Sequence, residues 1–512
     1  MKTKLNLLAA AVFLVTAGSA GAAVRYVDGN STNATPPYTN WATAAATIQA
    51  AVDAADAGDE IVVTNGIYAT GGRAVVGTMT NRVAVDKPLT VRSVNGPAVT
   101  VIQGYQVPGA SNGDGAVRCV YLTNGASLSG FTLMQGATRS AGDWREQSGG
   151  GLWCEATNVL VSNCVLAGNS AARWGGGAGE GALTNCVLTG NWAGWYGGGA
   201  GYGTLVNCTL SNNWAGSGGG VCNSTLNNCT LSGNRAVAWG GGAVGGAAAW
   251  SSTLSNCTLT GNFADFGGGV GSYSALNNCT LTGNYATNEG GGAFMAMLNN
   301  CIIHFNTAAA GPNHGGSTLN YCCTTPDPGG LGNITNAPLF VDYAGGNLRL
   351  QSNSPCINAG FNAYAAGTTD LDGHPRIVHG TVDLGAYEFQ GPGSAISYAW
   401  LQQYDLATDG SADYADPDGD GMNNWQEWRC GTDPRNAASV LRLLSAPPAG
   451  SNVTVTWQSV SGMSYFLERS TNLAVSPPFT MLATNLPGQA GTTSFTDTNA
   501  AAARRFYRVG VP

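Results

Sequence analysis

The 512-residue chain is poor in charge: Asp, Glu, Lys and Arg supply 10% of it, against ~25% in an ordinary globular protein. Lysine is scarcest, confined to Lys2, Lys4 and Lys87, and the formal net charge is −8. Without a basic stripe the chain cannot neutralise a row of phosphates, which excludes nucleic acid and anionic lipid as partners. Long hydrophobic runs are also lacking. The one short run, Leu5–Thr16, follows Lys2 and Lys4 and precedes the small residues Gly18–Ala23. That order is the order of an export leader, and the run is too short to span a membrane. Residues 1–23 are therefore expected to be a signal peptide. The mature chain is expected to carry no membrane span and to be secreted or held at the cell surface. The C-x-x-C spacing is missing too: none of the 14 cysteines stands in it, which removes the common zinc and dithiol motifs.

What the chain has in excess is glycine, 76 residues, and a repeat. Cysteine recurs at Cys164, Cys186, Cys208, Cys229, Cys257, Cys279, Cys301 and Cys322, at intervals of 22, 22, 21, 28, 22, 22 and 21 residues. Asparagine precedes the first seven, at Asn163, Asn185, Asn207, Asn228, Asn256, Asn278 and Asn300, and Tyr321 precedes the eighth. A second asparagine stands five residues after each of the seven, from Asn169 to Asn306, with alanine two further on. Triple glycines follow at 175–177, 197–199, 218–220, 240–242, 267–269 and 290–292. A period of this length denotes a stack of like units.

Apolar residues stand three before the cysteine, at it, and two after it, as in Leu183, Cys186 and Leu188. Positions 0 and +2 share a strand face, whereas −3 has the opposite parity. The chain must bend between them, at the asparagine, which accepts a left-handed backbone better than most residues. The asparagine before each cysteine is expected to stack on its equivalents as a ladder of amide hydrogen bonds. Triple glycines disfavour helical units by ~1 kcal/mol per glycine, and the Leu/Thr runs favour strands. Stacked cysteines lie ~4.8 Å apart and point the same way, which does not suit disulfides. They are expected to be free, buried thiols filling the core. Any bridge would join Cys322 or Cys323 to Cys356.

The period, the asparagines and the narrow Gly/Ala corners resemble right-handed parallel β-helix proteins of the pectate-lyase-like superfamily, over roughly residues 60–345. The fold class expected is all-β: a right-handed parallel β-helix solenoid at 60–337 with an N-terminal cap at 24–59. The cap carries a helix with Ile48, Ala51, Val52 and Ala55 on one face. Ser354–Gly360, Thr369–Arg376 and Val382–Glu388 resemble, in that order, the choice-of-anchor module of exported bacterial proteins, and 338–390 is expected to cap the far end. Residues 441–512, with five strand-like runs, resemble a fibronectin type III-like sandwich.

Between them, at 396–440, lies a twelve-residue calcium-loop pattern. Asp416, Asp418 and Asp420 stand at positions 1, 3 and 5, Gly421 at the sharp turn, the Met422 carbonyl at 7, Asn424 at 9 and Glu427 at 12. It resembles a dockerin-like or thrombospondin type 3-like repeat, with one complete loop in place of two or more. Bound Ca2+ is expected to stiffen this junction. The pair Asp370 and Asp372 is read as a turn.

For function, a lyase or hydrolase needs carboxylates gathered on one face. The acids Glu155, Glu180, Asp265 and Glu289 fall at −9, −6, +8 and +10 from the nearest repeat cysteine and form no column. The remaining catalytic candidates are Asp143, Arg145, Glu146 and Glu155, in and beside an insertion at 137–149. Aromatics do form columns: Trp192, Trp214, Phe263 and Tyr285 after the +5 asparagine, and Trp174, Tyr196, Trp239 and Phe266 before the triple glycine. Both sets are expected in one corner loop, as a platform for sugar rings. The reading is an exported, monomeric cell-surface protein for adhesion or polysaccharide binding, without catalysis. The alternative is a polysaccharide lyase or glycoside hydrolase acting on extracellular polysaccharide.

Overall fold

The structure, a computed structural model, describes residues 22–237, 245–498 and 504–512. Most of the expected leader, and Trp239 with the glycines 240–242, lie outside the described residues. The chain divides into two units, one ending at Trp192 and one beginning at Ala193. Both are built from the same coil.

In the second unit one turn runs through Thr204–Val206, Thr209–Ser211, Trp214–Ser217 and Val221–Cys222. Each strand pairs in parallel with its equivalent one period on: Leu205 with Leu226, Leu210 with Leu231, Trp214 with Arg235, Val221 with Ala249. The register keeps Leu205, Leu226, Leu254, Leu276 and Leu298 in one buried row and Leu210, Leu231, Leu259 and Leu281 in another. Each buried leucine contributes roughly 1.5–3 kcal/mol. In the first unit the same logic stacks Val24–Val27 on Glu60–Val63, then Thr90–Ser93, Ser127–Ser129, Leu160–Ser162 and Ala182–Thr184.

Sharp corners make the coil. The asparagine before each cysteine is left-handed, with φ of 52° at Asn163, 54° at Asn228 and 51° at Asn278, and Tyr321 follows suit at 50°. At the triple glycine no side chain fits. A Cβ on Gly198 would lie 2.4 Å from the Trp214 carbonyl oxygen and 2.5 Å from that of Gly219.

The amide ladder forms at a different asparagine from the one expected. It is the buried +5 series that stacks: Asn213 to Asn234, Asn234 to Asn262, Asn262 to Asn284 and Asn284 to Asn306, at 2.8–3.0 Å. The same amides donate inward to carbonyls of the preceding turn, Asn234 to Leu210 and Asn284 to Leu259. The asparagines before the cysteines point outward from their left-handed corners, and among the described residues the side-chain oxygens of Asn228, Asn256 and Asn278 have no hydrogen-bond partner. All 14 cysteines are buried free thiols. The S–H groups of the repeat cysteines donate to the carbonyl two residues back, as in Cys208 to Val206 and Cys229 to Asn227, both at 3.3 Å. Cys323 and Cys356 share one core cluster with Leu384 and Ile396.

Helix α1 (Ile48–Ala54) starts at Thr47, whose hydroxyl accepts from Ala50 N–H, and buries Ile48, Ala51 and Val52. At the other end, Tyr321 and Thr324 donate to Leu331 and Ile334, so the stretch after the last turn meets its open edge. The 338–390 segment spreads along the flank of the coil as well as over that end. Asn256 donates to Ala366 and Thr369, Asn278 to Asp383, and Asn300 to Phe361, all carbonyls of this segment. The outward-pointing corner asparagines thus serve as its docking points. Asp370 accepts from the N–H groups of Asp372, His374 and Glu388, and Asp372 pairs with Arg349. A turn accounts for these two acids. Two short helices follow, α2 (Tyr398–Gln403) and α3 (Asn424–Cys430). The last residues form two antiparallel sheets around Val453, Val455, Trp457, Tyr465 and Leu467. No helix among the described residues is long and apolar enough to cross a membrane.

Candidate functional site

The two aromatic sets part company in space. One set lies on a strand face. Trp214, Arg235, Phe263 and Tyr285 are register partners on successive turns, side chains outward and Ala215, Ala236, Ala264 and Ala286 inward. Phe263 and Tyr285 stack at 5.3 Å and 19°. The Arg235 guanidinium lies over Phe263, 4.7 Å from its centroid. Trp214 keeps 40% and Tyr285 42% of its surface exposed. Trp192 opens the equivalent strand at the end of the first unit. Sequence reasoning did not single out Arg235. Its place six residues after Cys229, the slot of Trp214 after Cys208, was the available signal.

The second set is engaged with other rings. Trp174 is only 8% exposed, packed between Trp153 at 5.3 Å and Trp144 at 5.6 Å. Tyr196 stacks on Trp250 at 5.1 Å, and Phe266 packs on Phe294 at 5.1 Å. Over Gly179, the ring of Trp153 leaves no room for a Cβ, 2.7 Å away. Each ring of this set thus packs on a ring from another part of the chain, Trp174 buried and Tyr196 and Phe266 half-buried, so these three do not share one platform with the strand-face column. Trp239 lies outside the described residues.

The insertion candidates are held as fasteners. Burial alone would raise the Glu146 carboxyl, but N–H groups of Thr78 and Asp143 and the Arg139 guanidinium hold it below the usual range. The Arg145 side chain, bonded at 2.9 Å, lowers the Asp143 carboxyl. Glu155 accepts the Trp153 indole N–H at 3.1 Å. The buried Arg118 guanidinium ties the insertion down through the carbonyls of Arg145, Ser148 and Gly149. Each candidate has a partner that explains its place.

The acidic loop is different. Carboxylate oxygens of Asp416, Asp418 and Asp420 lie within 4.8 Å of one another. The loop is shaped by its own N–H groups, Gly419 and Gly421 donating to Asp416, and Met422 to Asp420. Asn423 caps α3 reciprocally with Gln426, which sets Glu427 in the first turn. Glu427 is fully buried. Among the described residues its Oε2 has no partner, nor do Asp418 Oδ2, Asp420 Oδ2 and Asn424 Oδ1. Burial first, then the charges of Asp418 and Asp420, push the Glu427 carboxyl up to about 7. The Asn424 amide nitrogen is spent on the Ala412 carbonyl.

A family model described as a right handed beta helix region matches residues 145–284. The chain is a right-handed parallel β-helix there. No curated protein matches the chain. Among solved structures, a pectate lyase is 16% identical with a TM-score of 0.43, the match covering 72% of this chain and 96% of that one. A rhamnogalacturonan lyase is 12% identical, TM-score 0.35, covering 62% and 91%. A tailspike protein of Acinetobacter baumannii bacteriophage Fri1, a capsular polysaccharide depolymerase, is 9% identical, TM-score 0.23, covering 95% and 83%. Similarity at this level assigns no activity, because one fold hosts many.

Proposed function

We propose that this chain is an exported protein that binds extracellular polysaccharide without cleaving it, through the outward column Trp214–Arg235–Phe263–Tyr285. The observation that carries the reading is the continuity of that column: exposed rings and a guanidinium in register on successive turns. Rungs repeat at ~4.8 Å, so the column offers a linear, rigid strip to a linear polymer. Ring faces take sugar C–H surfaces, and Arg235 supplies hydrogen-bond donors between them. Rigid aromatics give contact area at low entropic cost. The leader at residues 1–23 supports export to the surface or medium. The candidate carboxylates are occupied in holding structure, which favours binding over catalysis.

The test is affinity electrophoresis in gels containing neutral or uronate polysaccharides. Trp214→Ala and Tyr285→Ala are each expected to weaken retention by about tenfold, the scale of an aromatic hot spot. Both side chains are exposed, so folding survives. Unchanged mobility of both variants in every retaining gel removes the proposal.

The junction at 416–427 is proposed to hold one Ca2+ ion, through Asp416, Asp418, Asp420, the Met422 carbonyl, Asn424 Oδ1 and Glu427. Its support is the buried, unpartnered Glu427 Oε2 beside two unpartnered aspartate oxygens, an arrangement costly without a cation. Calorimetric titration of the metal-stripped chain is expected to show one equivalent of calcium taken up. Glu427→Gln should weaken it by at least about tenfold, because position 12 gives two of the ligand oxygens. Absence of heat in the wild type would count against the site.

A further inference from the structure

A cleft of about 630 Å³ opens beside the last turn of the coil, between the segment 327–336, the corner at 358–360, helix α2 and helix α3. It stands apart from the aromatic column and from the acidic loop. Its size lies within the ~300–1,000 Å³ of small-molecule sites. Its walls are chemically specific. Tyr321, Trp400 and Trp428 bring three aromatic surfaces, and Asn333, Asn336 and Gln403 bring amides. Asp327 is the one ionisable side chain among its lining residues besides the Tyr321 phenol, and no lysine, arginine or histidine joins it.

This composition discriminates among ligand classes. With no base in the wall, phosphates, sulfates and uronates find no counter-charge. A purely apolar ligand would leave the amides unpaired, which costs about 1–3 kcal/mol for each group desolvated. A hydroxyl-rich, uncharged ring satisfies both kinds of wall. Its hydroxyls pair with amide and indole N–H groups, and its C–H faces lie on the aromatics. Among the described residues, no hydrogen-bond partner is seen for the side chains of Asn336, Trp400, Gln403 or Trp428. They remain available to a ligand. The walls are also rigid. Tyr321 stacks on Phe361 at 5.1 Å and 16°, and Trp400 packs on Tyr404 at 4.9 Å. Asn333 is fixed by the Cys322 N–H and the carbonyls of Leu319 and Gly329.

We infer that this cleft is a second carbohydrate site, selective for an uncharged sugar residue. It does not depend on the exposed column, which lies on another face of the coil and would follow a polymer along its length. The cleft, at about 630 Å³, is of a size that suits a single residue or chain end.

Saturation-transfer NMR on the full chain tests this, with glucose, galactose, mannose, xylose, rhamnose and N-acetylglucosamine as neutral probes and galacturonate as the charged probe. At least one neutral sugar is expected to receive saturation, and galacturonate none. The affinity for that sugar should fall about tenfold or more in Trp400→Ala. Gln403→Ala, at an exposed wall position where folding is not at stake, should weaken it by about fivefold. The double variant Trp214→Ala/Tyr285→Ala should leave it unchanged. Transfer to no neutral sugar overturns the inference. So does transfer that survives Trp400→Ala and Gln403→Ala together, or that is lost in the column double variant.

Discussion

Arg376→Met is expected to destabilise the chain by roughly 3–5 kcal/mol, the scale on which removal of one partner from a buried ion pair is felt. Arg376 is 1% exposed and reaches Glu388 at 3.3 Å. Its Nη1 donates to the Ala386 carbonyl and its Nη2 to those of Asp383 and Gly385, each at 3.1 Å. Asp383 and Glu388 are themselves pinned by N–H groups of Asn358, Phe389, Val378 and Asp383. Methionine fills the space but leaves three carbonyls without their donor and the buried Glu388 carboxyl without its counter-charge. The same loop docks on the coil, where Gly385 N–H donates to Asn300 and Ala386 N–H to Thr280. Losing the knot therefore loosens the flank.

The pH dependence follows from the two acids. Burial raises both carboxyls above their ordinary values, for Glu388 with the Asp383 charge adding to the effect. One guanidinium cannot balance two carboxylates, so the fold retains a proton that the unfolded chain releases above about pH 4. The unfolded state then binds fewer protons, and stability declines as pH climbs from about 4 through neutrality. In Arg376→Met that decline should steepen, since the paired cation is gone. Adding Glu388→Gln to Arg376→Met should flatten it again. Urea unfolding followed by circular dichroism across this pH range measures all three. Equal slopes in the wild type and Arg376→Met would refute the account.

The coil was readable from the sequence because every turn repeats the same demand: leucine inside, glycine where backbones meet, asparagine at a left-handed corner. What could not be read was which asparagine did what. Both series recur with one period, and the left-handed residue at +4, such as Gly233 or Gly261, turns the +5 amide inward. Spacing alone does not report that reversal. The calcium-loop pattern was legible because all its residues lie within twelve positions. The aromatic partners were not, since Trp144 reaches Trp174 from an insertion and Trp250 reaches Tyr196 from two turns away. The recess lined by Tyr321, Trp400 and Trp428 draws its walls from segments far apart in sequence, and no local signal marks it.

The two asparagine series give a prediction that separates their roles by size. Asn262 is buried in the middle of the ladder. Its amide donates to Asn284 Oδ1 at 2.8 Å and to the Leu231 carbonyl at 3.0 Å. Its oxygen accepts from Asn234 Nδ2 at 3.0 Å and from the Asn234 N–H at 2.9 Å. Asn262→Ala strands a backbone N–H and a carbonyl in a dry core. At ~1–3 kcal/mol for each orphaned group, the loss is roughly 2–6 kcal/mol. Asn262→Asp restores the acceptor but not the donor and places a charge in the core, so it should not rescue. Asn228, at φ 54°, has a side-chain oxygen without a partner among the described residues. There the backbone sets the cost. Asn228→Ala should lose about 1–2 kcal/mol, the penalty of a left-handed corner for an ordinary residue. Asn228→Gly should lie within about 0.5 kcal/mol of wild type, because glycine enters that region freely. Urea midpoints at constant slope give the four values. Equal losses for Asn262→Ala and Asn228→Ala, or rescue of the ladder by aspartate, would mean that the amide chain does not hold the turns together.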